Sequence, residues 1–365
     1  MIVSNNPIEK TRIAWVDTAK FICIIAVIAE HAACMTKITD AINAPFYLNG
    51  FFFLAGYVYR HEEGFSGFAL KKIRQLFIPW LFFSLFAIIT AYLFSFNEQT
   101  ELKKALLFNF LQIREKGDGM WFVAALFIAF FPFYFIIKQY LRSSVKKKTT
   151  ITFLSLLSLS VISSLFSRGA LNNSVVALPW HIEYIFRIDF LMFSGFIFRE
   201  KWEVLFDRLN SRKNRVILAV FYFGLVVLIW VLETVIQPYR STVFYRYFSS
   251  FIGLLLLISV SKVIKPNRFF SFIGRNTVSY YGLHGKLLSI VNRLSVFAFP
   301  QYYSALCSYS DKHVITSLAE VNGGVMTAAT VLSYLIAVLV AVALIIPAYI
   351  IERYFPFIAG KTKKH

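Results

Sequence analysis

The run IAWVDTAKFICIIAVIAEHAACM, residues 13–35, is long enough to cross a bilayer as a helix, roughly 34 Å at 1.5 Å per residue. It nevertheless carries Asp17, Lys20, Glu30 and His31. Ionisable groups inside a span cost roughly several kcal/mol unless they are paired, so each is a functional candidate. Asp17 and Lys20 stand at i, i+3 and can pair on one helix face. Lys20 and His31 are separated by three turns plus about 20°, so they share a stripe with an axial separation of about 16 Å. That distance excludes direct contact but suits one long ligand touching both. Glu30 projects about 100° away from His31. Periodicity alone is equally consistent with an Asp17–Lys20 anchor at the membrane surface and a satisfied histidine near the far interface.

The rest of the chain repeats this apolar character. Of 365 residues, 58% are hydrophobic and 18% aromatic, 41 of them Phe, with a mean hydropathy of +0.63. Charged residues make up 16%, against roughly 25% in soluble domains. Apolar runs of span length recur at about 13–35, 45–59, 73–96, 120–141, 150–166, 181–198, 216–236, 244–264, 272–299 and 325–351. The expected fold is therefore all-α, a polytopic membrane protein of about ten transmembrane helices. The second run is short and spans only if untilted or shielded by neighbours. The ninth is interrupted by polar residues, a pattern that fits one long helix or two pieces.

The formal net charge of +19 raises the question of nucleic acid. The basic residues, however, cluster at the ends of apolar runs, as at Lys71, Lys72 and Arg74, Lys146 to Lys148, and Arg212, Lys213 and Arg215. Such placement is a topology signal and argues against a nucleic-acid partner. With the N-terminus in the cytoplasm, Lys and Arg favour the inner segments by about three to one, alternating through every loop. Both termini are then cytoplasmic. Residues 97–119 and 300–324 are the longest outer loops, too short for a separate domain, so one membrane domain is expected over 1–365. The first apolar run is too long for a signal-peptide core and is expected to be retained.

Cys23, Cys34 and Cys307 have no metal-ligand spacing, and no metal is expected. Cys23 and Cys34, about 16 Å apart along one helix, cannot pair. The sixth run carries Glu183, Arg187 and Asp189, with an i, i+4 ion pair expected between Glu183 and Arg187. The ninth holds His284 and Lys286, with Arg275 and Asn276 near its inner end. Trp121, after Gly117-Asp-Gly119, marks a loop entering a span, where an interfacial aromatic anchor is the default. Nucleotide-binding glycine loops, zincin helices and nucleophile elbows are missing from the sequence.

Residues 15–31 resemble the opening of the membrane acyltransferase-3 family. That opening has an acid, a basic residue three positions on, then ten residues and a histidine, matched here by Asp17, Lys20 and His31. Phe51-Phe-Phe-Leu-Ala-Gly-Tyr57 looks like the family's aromatic–glycine segment. Lys71-Lys72-Ile-Arg74 followed by Pro79-Trp80 looks like its basic run before the third span. Met120-Trp-Phe122 and Phe272-Ile-Gly274 with Tyr281-Gly-Leu-His284 are similar to looser, later signatures. This sequence departs from the pattern in having Lys20 where Arg is commoner, Ala55 for Ser, and Met120 where relatives often carry His.

The resemblance implies an integral-membrane O-acyltransferase of the plasma or inner membrane. It would move acetyl from cytoplasmic acetyl-CoA to a hydroxyl of a cell-envelope or exported sugar or polysaccharide. His31 is then the expected general base, with Lys20 and Asp17 beside it, and Asp17 orienting Lys20. Lys71, Lys72 and Arg74 are the expected donor-phosphate ligands, and Glu30, Trp121 and His284 the candidates near acceptor. The expected partners are the sugar acceptor and the lipid bilayer, with a homo-oligomer left open. A transporter or flippase of a glycan or lipid-linked precursor would also use intramembrane charges. Dependence on acetyl-CoA separates the two.

Overall fold

The computed structural model describes residues 12–32, 34–94, 102–113, 119–167, 177–235, 242–298 and 323–361. Every regular element among them is helical. Helices α1 (Ala14–Glu30), α2 (Lys37–Asn43), α3 (Tyr47–Tyr57), α4 (Phe65–Lys72) and α5 (Ile78–Phe94) lead into α6 (Leu102–Leu111), α7 (Trp121–Arg142) and α8 (Lys148–Ser167). They are followed by α9 (Ile185–Ile197), α10 (Glu203–Leu209), α11 (Arg212–Val235) and α12 (Thr242–Val263). The last four are α13 (Arg268–Arg275), α14 (Thr277–Ala298), α15 (Gly323–Ala343) and α16 (Ile345–Tyr354).

Each of the ten apolar runs contains a helix. Among the described residues, four segments are long and apolar enough to cross a membrane: Phe65–Leu93, Trp121–Arg142, Lys148–Ser167 and Ala328–Tyr354. Their outward faces are greasy. Ile151, Leu154, Ile162 and Phe166 on α8, and Val331, Leu335, Leu339 and Val342 on α15, are exposed. So are Val216, Val220, Phe223 and Val227 on α11. Apolar stripes on that scale need lipid rather than water. The second run forms only the 11 residues of α3, about 17 Å, and it is shielded as its length demands. The ninth divides at Asn276, whose side-chain amide donates to the Phe272 carbonyl and to Glu352, ending α13 before α14 starts. The stretch read as an outer loop at 97–119 folds in part as α6, where Leu106, Leu107, Phe108 and Phe110 favour helix. The rest of that loop, the loop at 300–322 and Cys307 lie outside the described residues. Cys23 and Cys34 are buried and not joined in a disulfide.

Glycines set the close helix contacts. A Cβ on Gly56 of α3 would fall 1.8 Å from the Met192 carbonyl oxygen of α9, and one on Gly195 of α9 would fall 2.0 Å from the Phe53 oxygen of α3. The two backbones therefore touch through a reciprocal glycine pair, as small residues permit in membrane bundles. Gly274 of α13 sits against the Asp17 carbonyl in the same way, with 2.2 Å left for a Cβ. Alpha-1 is thus clamped between α3 and α13, with α12, α14 and α15 completing its surround. Its side chains Ala19, Cys23, Ile24, Val27 and Ile28 are buried in one continuous apolar core.

Candidate active site

Two cavities open at opposite ends of α1. The first, about 810 Å³, is lined among the described residues by six Lys and Arg side chains (Arg12, Lys20, Arg60, Lys71, Lys72 and Arg199) and by two carboxylates, Asp17 and Glu62. Both carboxylates are engaged. Asp17 is held by Arg12 through two hydrogen bonds, the Nη2–Oδ1 one at 2.8 Å, and Glu62 pairs with Lys71. The expected Asp17–Lys20 bond is therefore replaced by one to Arg12, which lies five residues earlier and folds back over the helix start. Lys20 has no hydrogen bond or ion pair among the described residues, and Lys72 stands over the Phe130 ring at 3.4 Å. At this end His61 packs against Tyr134, and its burial, with Lys138 and Arg142 nearby, lowers its pKa, so it adds no charge at neutral pH.

The two π-helical turns among the described residues both lie at this end. One, Ile73–Phe77, joins α4 to α5, and the other, Phe198–Trp202, joins α9 to α10. The extra residue in such a turn re-aims the side chains around it. It leaves Lys71, Lys72 and Gln75 facing the cavity and turns Arg74 outward, exposed and off the lining. The second turn brings in Arg199, whose Nη1 donates to the Tyr57 and Tyr59 carbonyls at 2.6 and 2.7 Å and caps α3.

The second cavity, about 620 Å³, holds His31, Trp121 and His284. His31 ends α1, and its Nδ1 lies 2.8 Å from the Val27 carbonyl. His284 Nδ1 lies 2.7 Å from the Tyr281 carbonyl. A carbonyl can only accept, so each Nδ1 donates, and in the neutral ring the lone pair then lies on Nε2. The two rings meet edge to face, with centroids 5.0 Å apart. Trp121 enters from the start of α7 and packs on His181, with ring centroids 5.3 Å apart. Glu30 is absent from both linings. Its Oε1 accepts from Asn43, whose own Oδ1 accepts from Tyr334, and this chain ties α1 to α2 and α15. The 100° offset from His31 sends Glu30 into the bundle rather than toward a ligand.

Tyr281 lines both cavities. Its ring lies 5.7 Å from Phe122, which in turn lies 5.5 Å from Phe51. These aromatics form the partition between Lys20 and His31. In the sixth run, Arg187 donates to Asn49 at 3.1 Å and Glu183 accepts from the Leu178 amide at 3.1 Å. Asp189 is buried and carries no hydrogen bond among the described residues. Trp180 and His181 enter α9 with positive φ of 58° and 53°, a local strain no sequence signal marked.

A family model described as an acyltransferase domain, that of acyltransferase 3, matches residues 13–350. The chain belongs to the membrane acyltransferase-3 family. Comparison with curated proteins and with solved structures found no match. As an acyltransferase of this family, the protein has its two most specific sequence features, Lys20 and His31, at the two ends of one helix and in two different cavities. The family-like glycines have a different part. Gly56 carries the backbone contact of α3 with α9, and Gly274 that of α13 with α1.

Proposed function

We propose that this acyltransferase carries acetyl from cytoplasmic acetyl-CoA to a hydroxyl of an exported or cell-envelope sugar, in the plasma or inner membrane. The observation that carries the reading is the pair of cavities meeting at Tyr281. One is basic and the other holds two histidines with free Nε2 atoms. The donor's phosphates and its thioester have opposite needs. Lys20, Lys71 and Lys72 suit the phosphates. A pantetheine arm spanning about 16 Å along α1 would bring the thioester past the aromatic partition to His31.

In the reaction, His31 Nε2 takes the proton of the acceptor hydroxyl as its oxygen attacks the thioester carbon. The C–S bond breaks, the sulfur leaves with the proton returned by His31, and the products are the O-acetyl sugar and free CoA. Arg12, positioned by Asp17, adds to the positive rim of the donor cavity. The placement of residues from expected inner segments in the first cavity, and of Leu102, Ala105, Asn109 and Trp121 in the second, supports delivery on the outer face.

The test is O-acetyl content of the host's surface glycans by proton NMR, comparing intact gene, deletion, and deletion rescued with wild type or His31→Ala. Acetyl signals should vanish on deletion and return with wild type but not with an equally expressed His31→Ala. Unchanged acetylation with collapsed glycan export would overturn the reading in favour of a transporter.

A further inference from the structure

The cavity at His31 has an electrostatic bias that acyl transfer itself does not require. Among the described residues, its lining contains Lys286 and no Asp or Glu. Lys286 makes no hydrogen bond or ion pair among the described residues, although it sits on α14, within the ninth run read as a span. An unpaired ammonium in such a place is costly and calls for an anion. Two further polar atoms in the same lining lack partners among the described residues. They are Ser84 Oγ, on a side chain 2% exposed, and His284 Nε2, on one 5% exposed. Gly285, Lys286 and Ser289 follow one another along the exposed stripe of α14 that faces the cavity, and a Cβ on Gly285 would meet nothing within 4 Å. The floor there is open enough for a ring, and it offers hydroxyl partners beside a positive charge.

We propose that the acceptor is an acidic sugar, bearing a carboxylate or phosphate that Lys286 binds while Ser84 and His284 hydrogen-bond its hydroxyls. This rests on the acyl-transfer reading and narrows it. Lys286 selects the acceptor, and His31 acts on the hydroxyl that this grip presents. The carboxylate and the phosphate share one chemistry at Lys286, and acceptors carrying each distinguish them.

The experiment uses the full chain in lipid nanodiscs with radiolabelled acetyl-CoA and three acceptors: methyl glucoside, methyl glucuronoside and glucose 1-phosphate. One or both anionic acceptors should be preferred by kcat/KM. Lys286→Gln should lower that preference by roughly tenfold to a hundredfold through acceptor KM, as loss of a charge-assisted bond does. Lys286→Arg should keep it, which separates lost charge from lost folding, and Lys103→Gln on the exposed face of α6 should leave it in place. Equal transfer to the neutral glucoside, with Lys286→Gln silent, overturns the proposal and leaves acyl transfer standing. Acetyl-CoA left unconsumed with every acceptor defeats the acyl-transfer reading, and the proposal with it.

Discussion

Lys20, Lys71, Lys72 and Arg74 look interchangeable as a basic set, yet their surroundings rank them. Lys20 is unpaired in the donor cavity, Lys72 rests on Phe130, Lys71 is shared with Glu62, and Arg74 faces away. Lys20→Ala and Lys72→Ala should each raise the KM for acetyl-CoA about tenfold, the size of one charge-assisted phosphate contact. Lys71→Ala should do less and Arg74→Ala nothing, as initial rates against donor concentration would show. Unchanged donor affinity with reduced turnover in the first two would end the phosphate role. His31→Gln should lower kcat by roughly 10²- to 10⁴-fold while donor binding persists, since only the proton acceptor is lost. A titration of acetyl-CoA onto that variant separates the two effects. The stripe shared by Lys20 and His31 was legible from spacing alone, because one helix fixes it. The Arg12–Asp17 bond was not, because it depends on chain outside the helix turning back.

Helix contacts are decided by backbone proximity, and glycines show where. Gly56→Ala and Gly195→Ala each place a methyl about 2 Å from a carbonyl oxygen, so α3 and α9 must part. A cost of about 1–3 kcal/mol or more is expected from such overpacking, read as a lower melting temperature in detergent. Gly67→Ala on α4 and Gly224→Ala on α11, where nothing lies within 4 Å, should instead hold or gain stability by roughly 0.5–1 kcal/mol from helix propensity. A melting temperature unmoved by Gly56→Ala would mean the two helices are not in backbone contact. The apolar runs showed where helices would be because hydropathy is a local property. The two π turns, the strained entry at Trp180 and His181, and the helix within 97–119 went unread. Each is imposed by what the segment packs against rather than by its own composition, as Trp180 shows by lying among Phe77, Trp80 and Phe127. The same holds for Tyr281, which the sequence marked only as part of a loose family-like signature and which, among the described residues, is common to both cavities.

At the scale of the molecule, the question is whether the two cavities face opposite compartments. In the topology expected from the basic residues that flank the runs, Arg60 and Lys72 lie inside and Trp121 lies toward the outer face, and the cavities divide their linings along that line. A donor made in the cytoplasm and an acceptor outside could then react without either crossing, with only the thioester end of the donor's arm reaching past Tyr281. Single cysteines test this directly. In a Cys307→Ser background, with Cys23 and Cys34 buried, Arg60→Cys and Ser289→Cys each put one thiol in one cavity. A membrane-impermeant maleimide added to intact cells should label Ser289→Cys and spare Arg60→Cys until the membrane is permeabilised. Acetyl-CoA added after permeabilisation should then slow labelling of Arg60→Cys and leave Ser289→Cys unaffected. Labelling of both sites from outside would put the basic cavity on the wrong side for a cytoplasmic donor. The donor assignment would then fall, even with His31 still required for acetylation.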